Sequence, residues 1–198
     1  MVIILPVLAY LLGSVSSAIL FARLFGMSDP RTVGSGNPGA TNILRQGNKA
    51  AAAATLLGDM AKGTVPVVMA RLLTDDAVTL SLVAAAAFLG HLFPVFFGLK
   101  GGKGVATALG VYFGLSPWVG LALVATWLLT ALAFRFSSLA AILTAVISPV
   151  YVWYFLPGTP YLVMSIFVAV LLVWRHHSNI SRLIGGKEDR IRLRRSRP

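Results

Sequence analysis

The chain has no cysteine and only six acidic residues among 198. The first absence excludes disulfides, thiolate metal sites and a cysteine nucleophile, and leaves the compartment open. The second removes most of the material for a carboxylate metal site, so a metal-dependent phosphotransferase is disfavoured and no metal ligands are assigned. Charged residues of all kinds make up 12% of the chain. Against these shortages stand 57% hydrophobic residues and a mean hydropathy of +0.83. Apolar runs long enough to cross a bilayer recur along the whole length, which excludes an ordinary soluble core. The composition gives one domain over residues 1–198, an all-α polytopic membrane protein.

Seven helical segments, two or three of them short, are read from the hydropathy: residues 2–24, 50–73, 78–97, 105–115, 118–134, 139–155 and 161–174. A five-span count that merges the short pieces is the alternative. The first run has no basic n-region and no cleavage pattern, so it reads as a retained helix and not as a signal peptide. The 11-residue run 105–115 is too short to span alone and reads as a half-helix. Residues 156–160 (LPGTP) form a turn.

Lysine and arginine total 17, for a formal net charge of +11. With seven spans and the N-terminus outside, Arg23, Arg31, Arg45, Lys49, Lys100, Lys103, Arg135 and the tail from Arg175 all fall inside. Only Arg71 falls outside, beside Asp75 and Asp76. That asymmetry is the positive-inside pattern, and it accounts for the basic excess through orientation and anionic lipids without nucleic acid. The basic cytoplasmic tail begins at about residue 184. No internal repeat points to an inverted-repeat transporter.

Three polar clusters interrupt the apolar pattern, and all fall on the basic side. Residues 34–42 (GSGNPGATN) read as a glycine-rich loop with Asn37 as helix N-cap and Pro38 opening the helix. Such a start presents free N–H groups to an anion, with Ser35, Gly36, Asn37 and Asn42 at hand. Thr41 and Arg45, four apart, share a face. The loop also matches GxGxxG, but no strand precedes it, so a dinucleotide fingerprint is rejected. Residues 98–107 (GLKGGKGVAT) place Gly101, Gly102 and Gly104 around Lys103 at the start of a short helix, an anion nest with a point charge beside it. Residues 175–182 (RHHSNISR) close the last span; on a continuing helix His176 and Asn179 face one way, while adjacent His176 and His177 cannot form a two-histidine metal site. Ser138, at a helix restart on the same side, is a further candidate. Asp59 and Lys62, inside a span, read as a structural ion pair, and His91 as a buried hydrogen-bonding residue. Trp118, Trp153, Tyr161 and Trp174 near span ends read as interfacial anchors.

In these blocks the chain resembles the bacterial acyl-phosphate:glycerol-3-phosphate acyltransferases, the PlsY family. The likeness is carried by GSGNPGATN (34–42), GHLFPVFFGLKGGKGVAT (90–107) and RHHSNISRL (175–183), with GDMAKG (58–63) and RFSSLA (135–140) in support. It extends to about Glu188; Ala141, where a serine is expected, and His177, where a basic residue is common, depart from the pattern. The resemblance implies a multi-pass protein of the bacterial inner membrane with its active site facing the cytoplasm. It implies acyl transfer from acyl phosphate to the 1-hydroxyl of glycerol 3-phosphate, without a cofactor, in a monomer whose partners are these substrates and membrane lipids. The His-x4-Asp pair of other glycerolipid acyltransferases is missing: Phe96 and Ser181 stand where the acid would follow His91 and His176. With no evident general base, the acyl phosphate itself is expected to take the proton. Ser35, Arg45, Lys103, His176 and Asn179 are the catalytic candidates; Gly36, Asn37, Thr41, Asn42, Gly101, Gly102, Gly104 and Ser138 are the substrate-binding candidates. The competing reading is a small-anion transporter or permease.

Overall fold

The computed structural model of the chain describes residues 2–191. Among these residues it holds ten α-helices and one short 3-10 turn, and no strand. The helices are α1 (Ile4–Gly13), α2 (Ser17–Leu24), α3 (Ala40–Arg45), α4 (Lys49–Arg71) and α5 (Ala77–Leu92), then the 3-10 turn Val95–Phe97. They continue as α6 (Val105–Leu115), α7 (Pro117–Phe134), α8 (Ser137–Phe155), α9 (Thr159–Arg175) and α10 (His177–Ile184). Four stretches are long and apolar enough to cross a membrane: Ile4–Leu24, Ala77–Phe97, Pro117–Phe134 and Ser137–Phe155. The pair Thr159–Arg175 and His177–Ile184, bent by 58°, makes a fifth if taken as one span.

Local signals set most boundaries. Asn48 caps α4 by accepting from Ala51 N at 2.9 Å, and Asp76 caps α5 by accepting from Thr79 N at 2.8 Å. Pro117 occupies the first turn of α7, where its missing N–H costs nothing. The first apolar run differs from the sequence expectation: it is two helices, broken around Ser14, Val15 and Ser16. Ser14 turns its hydroxyl back onto Tyr10 O at 2.8 Å, and Gly13 and Gly90 let α1 and α5 cross with backbones in contact.

The core lies between α1, α4, α5, α6 and α9, with α7 and α8 completing the bundle. Phe88, Leu92, Val111, Tyr112 and Val168 fill it. Trp118, Trp153 and Trp174 are exposed, as interfacial anchors would be. The short helix α6 runs parallel to the second half of α4: Met60 meets Gly110, Thr64 Oγ1 donates to Gly110 O at 2.8 Å, and Arg71 donates to Gly114 O and Leu115 O. The chain just before α6 therefore stands level with the middle of α4, roughly 15 Å from its Lys49 end at 1.5 Å per residue. The half-helix thus sets the glycine–lysine loop deep in the bundle instead of at its rim.

A Cβ at Gly110 would run into the Met60 carbonyl, a backbone atom that cannot turn aside. Gly110→Ala is expected to cost about 1–3 kcal/mol through forced separation of α4 and α6. A lowered melting temperature in detergent checks this; an unchanged one would mean that the helices part freely.

Candidate active site

The three polar clusters of the sequence converge. Pro38 of the first loop packs its carbonyl against Gly102 of the second, and Arg175 bonds the second loop from the end of α9. Its Nη2 donates to Gly101 O at 2.8 Å and to Gly102 O at 3.0 Å, and its Nε to Gly102 O at 3.1 Å. Gly104 takes a left-handed conformation (φ 86°) that turns the chain from loop into α6. Lys103 Nζ donates to Asn179 Oδ1 on α10. Asn179 is held in turn by Glu188, whose Oε1 accepts from Asn179 Nδ2 at 2.6 Å and from Ser138 Oγ at 2.7 Å. Arg182 Nε completes the set on Glu188 Oε2 at 2.7 Å.

Glu188 is the residue that the sequence reading missed. Its side chain is only 4% exposed. Burial pushes its carboxyl up, but hydrogen bonds from Ser138, Asn179 and Arg182 outweigh that and hold it below the ordinary range. It sits there because the chain beyond α10 folds back: Ile191 N donates to Arg135 O at 2.7 Å, and Arg190 lies over the Phe136 ring at 5.4 Å. The tail expected from about residue 184 thus begins as part of the bundle wall; residues 192–198 lie outside the described residues.

The other candidates take varied places. Thr41 and Arg45 do lie together on an exposed face of α3, and Arg45 pairs with Asp189 at 3.2 Å. Ser35 and Gly36 are exposed, with Asn37 half-buried. Asn42 is buried and spends its amide on the loop itself: Oδ1 accepts from Ser35 N at 3.1 Å, and Nδ2 donates to Pro30 O at 2.8 Å and Val33 O at 3.1 Å. Asn42 therefore shapes the loop that presents Ser35. The N-cap expectation is corrected: helix α3 starts at Ala40 with Gly39, in extended conformation, as its cap. The buried packing of Pro38 on Gly102 overrides the local Asn-Pro signal. His176 and Asn179 do not share one continuing helix, because the 58° bend falls at His176. His176 is buried at that corner, with Nδ1 on Leu172 O at 2.8 Å, which leaves Nε2 as its free ring nitrogen for other contacts.

Lys103 is depressed to about 8, by burial first and then by Arg182, against the opposing pull of Glu188, with Arg175 and Arg45 adding to the depression. At neutral pH it is still a cation, in a cluster where Lys103, Arg45, Arg175 and Arg182 outnumber the carboxylates. The net positive charge of the cluster favours an anion. Its own pKa gives a prediction: kcat/KM for a phosphate-bearing substrate falls as pH rises through about 8, when the free ammonium loses its proton. Folding moves the other way. A lysine whose folded pKa is lowered leaves the unfolded state holding more protons between about 8 and 10.5, so this group adds stability as pH rises there. Activity that falls while the melting temperature holds would mark site titration; a joint fall would mark unfolding.

Comparisons with known proteins show the family of the chain. The family description glycerol-3-phosphate acyltransferase matches residues 3–186. The chain is 56% identical over 183 residues to the glycerol-3-phosphate acyltransferase of Thioalkalivibrio sulfidiphilus, covering 92% of this chain and 90% of that one. It is 55% identical to that of Thiobacillus denitrificans, with 96% of each covered. Among solved structures it is similar to PlsY (YgiH), an integral membrane glycerol 3-phosphate acyltransferase, in its glycerol 3-phosphate form. The TM-score is 0.91 at 40% identity, over 96% of both chains. The form of that protein with lysophosphatidic acid gives 0.89 at 39% identity, over 96% of this chain and 94% of that one. An all-helical bundle with several apolar spans, three polar blocks brought together by the fold, and these likenesses over nearly the full length place the chain in the glycerol-3-phosphate acyltransferase family.

Proposed function

We propose that this acyltransferase takes its acyl group from acyl phosphate and delivers it to the 1-hydroxyl of glycerol 3-phosphate, releasing lysophosphatidic acid and inorganic phosphate. The observation that carries the reading is the meeting of Lys103, Asn179 and Ser138 at one point, around a carboxylate, in a cationic cluster. Both substrates carry phosphate, and the site is already built around one anion.

Lys103 with the 103–104 backbone holds one phosphate, because the Gly101 and Gly102 N–H groups expected to join that nest are spent on Leu92 O and His91 O; Arg45 with Thr41 holds the other. Ser35, His176 and Asn179 orient the reacting carbonyl and stabilise its developing negative charge. The substrate hydroxyl oxygen attacks the acyl carbon, the bond from that carbon to the phosphate oxygen breaks, and the hydroxyl proton passes to the departing phosphate. The phosphate is then the base, and the protein's share is position and charge. Ser35 as a covalent nucleophile is disfavoured, since among the described residues no base is hydrogen-bonded to its hydroxyl. A transporter reading is weaker: within the spans Asp59 and Lys62 are paired with each other, and the remaining polar blocks gather on one side of the bundle.

In the bilayer the chain is taken to have about seven transmembrane or partly spanning helices, with the N-terminus outside and the site facing the cytoplasm of a bacterial inner membrane, as a monomer. The placement of Arg23, Arg31, Arg45, Lys49 and Arg135 supports that orientation. The test of the donor is direct. Purified protein with palmitoyl phosphate and glycerol 3-phosphate is expected to release phosphate in step with lysophosphatidic acid, and palmitoyl-CoA is expected not to replace the acyl phosphate. Equal rates with the thioester, or phosphate release without glycerol 3-phosphate, would overturn the assignment.

A further inference from the structure

Beneath the glycine–lysine loop lies a buried ionic cluster that the reaction leaves without work. Asp59 and Lys62, with side chains 4% and 6% exposed, pair at 2.9 Å on α4, and His91 Nδ1 stands 3.6 Å from Asp59 Oδ1. Lys62 Nζ also donates to Val15 O at 2.7 Å, a carbonyl left without a helical partner by the break between α1 and α2. On the other side of the imidazole, a Cβ at Gly102 would collide with His91 Nε2, so the ring lies against that residue's backbone. Gly102 N donates to His91 O, and Gly101 N to Leu92 O, each at 3.2 Å. A continuous run of contacts thus leads from the α1–α2 break, through α4 and α5, to the residue preceding Lys103.

Stability alone is a poor reason for such a cluster. Charges inside a span are expensive, and a buried ion pair is often matched or bettered by apolar packing. Asp59 Oδ1 and His91 Nδ1 moreover lack a hydrogen-bond partner of good geometry. What the cluster does fix is geometry: one rigid footing under Gly101 and Gly102, opposite the grip of Arg175 on their carbonyls.

We propose that Asp59, Lys62 and His91 are positioning residues that set the height of the Gly101–Gly102 backbone and so aim Lys103 at a substrate phosphate. None of the three touches the substrate. The inference rests on the reading that Lys103 and its loop hold a phosphate.

The test uses purified full-length protein, inorganic phosphate as the binding probe through its protection against thermal unfolding, and steady-state kinetics with glycerol 3-phosphate. His91→Asn keeps an amide near Asp59 and withdraws the ring from Gly102, with the Asp59–Lys62 pair intact; D59N/K62M removes both charges together. Lys103→Ala is the reference. Expected is a drop of about 10- to 100-fold in kcat/KM for His91→Asn and the double variant, the scale of a small misplacement of a charged group. The phosphate needed for half-protection is expected to rise by a like factor, with the phosphate-free melting temperature of His91→Asn close to that of the parent. His91→Asn with parental kinetics and phosphate affinity would overturn the inference while leaving the phosphate reading intact. So would a loss of activity matched by a loss of folded protein with unchanged affinity. Parental phosphate affinity in Lys103→Ala would instead overturn the phosphate reading itself, and the inference with it.

Discussion

Lys103→Ala is expected to reduce kcat/KM for glycerol 3-phosphate by about 10²- to 10³-fold, the usual effect of removing one preorganised charge-stabilising donor. No neighbour can take over its role. Arg182 is turned to Glu188, Arg175 is spent on the Gly101 and Gly102 carbonyls, and Arg45 pairs with Asp189. Lys103 alone among these four cations is held by a neutral side chain, Asn179, a contact easily exchanged for a phosphate oxygen. The fold should tolerate the change, because burial and three arginines already disfavour the ammonium and its loss relieves them. Lys103→Arg should recover little, since a planar guanidinium needs more room and a different geometry than a compact ammonium. Measured phosphate release and lysophosphatidic acid formation, with melting temperatures alongside, decide the matter. Parental kcat/KM in Lys103→Ala would remove the loop from the chemistry.

Much of this was legible in the sequence because it is local. Apolar runs separated by turn residues become helices where they are expected, and 105–115 emerges as the half-helix α6 with the boundaries read from it. The Asp59–Lys62 pair was legible from its spacing and from the cost of charge in a span. Thr41 and Arg45 share a face because periodicity requires it. What escaped depends on contacts between distant segments. The cap of α3 moved to Gly39 because Pro38 is needed against Gly102, some 60 residues away. Asn42 looked like a ligand group, and only the fold shows its amide already committed to Pro30, Val33 and Ser35. The break in the first run had a faint signal, the small polar Ser14, Ser16 and Ser17 after Gly13, but Lys62 must arrive to satisfy the opened backbone. Glu188 carried no signal at all: in sequence it is one acid in a basic tail, where the ordinary expectation is a solvated charge.

That hidden carboxylate gives the second large effect. Glu188→Ala is expected to lower activity by about 10²-fold or more and to lower the melting temperature as well. The side chain ties α8 through Ser138 and α10 through both Asn179 and Arg182. Without it, Asn179 loses the bond that turns its oxygen toward Lys103, and Arg182 is left beside other cations with no counter-charge. The substitution removes three hydrogen bonds at once while Arg182 stays partly exposed to solvent, so stability and geometry fail together here, unlike in Lys103→Ala. Glu188→Gln separates the two: it keeps the volume and one acceptor oxygen, which restores some packing, but it cannot neutralise Arg182. Its activity should lie between parent and alanine variant, with the greater recovery in melting temperature. Acid stability offers an independent check. A carboxyl held below its unfolded pKa contributes stability that is full above that unfolded value and is lost as pH falls through the folded one. The parent should therefore lose melting temperature on acidification more steeply than Glu188→Gln. Parallel acid profiles, or full activity in Glu188→Ala, would mean that this carboxylate only rests in the site and does not build it.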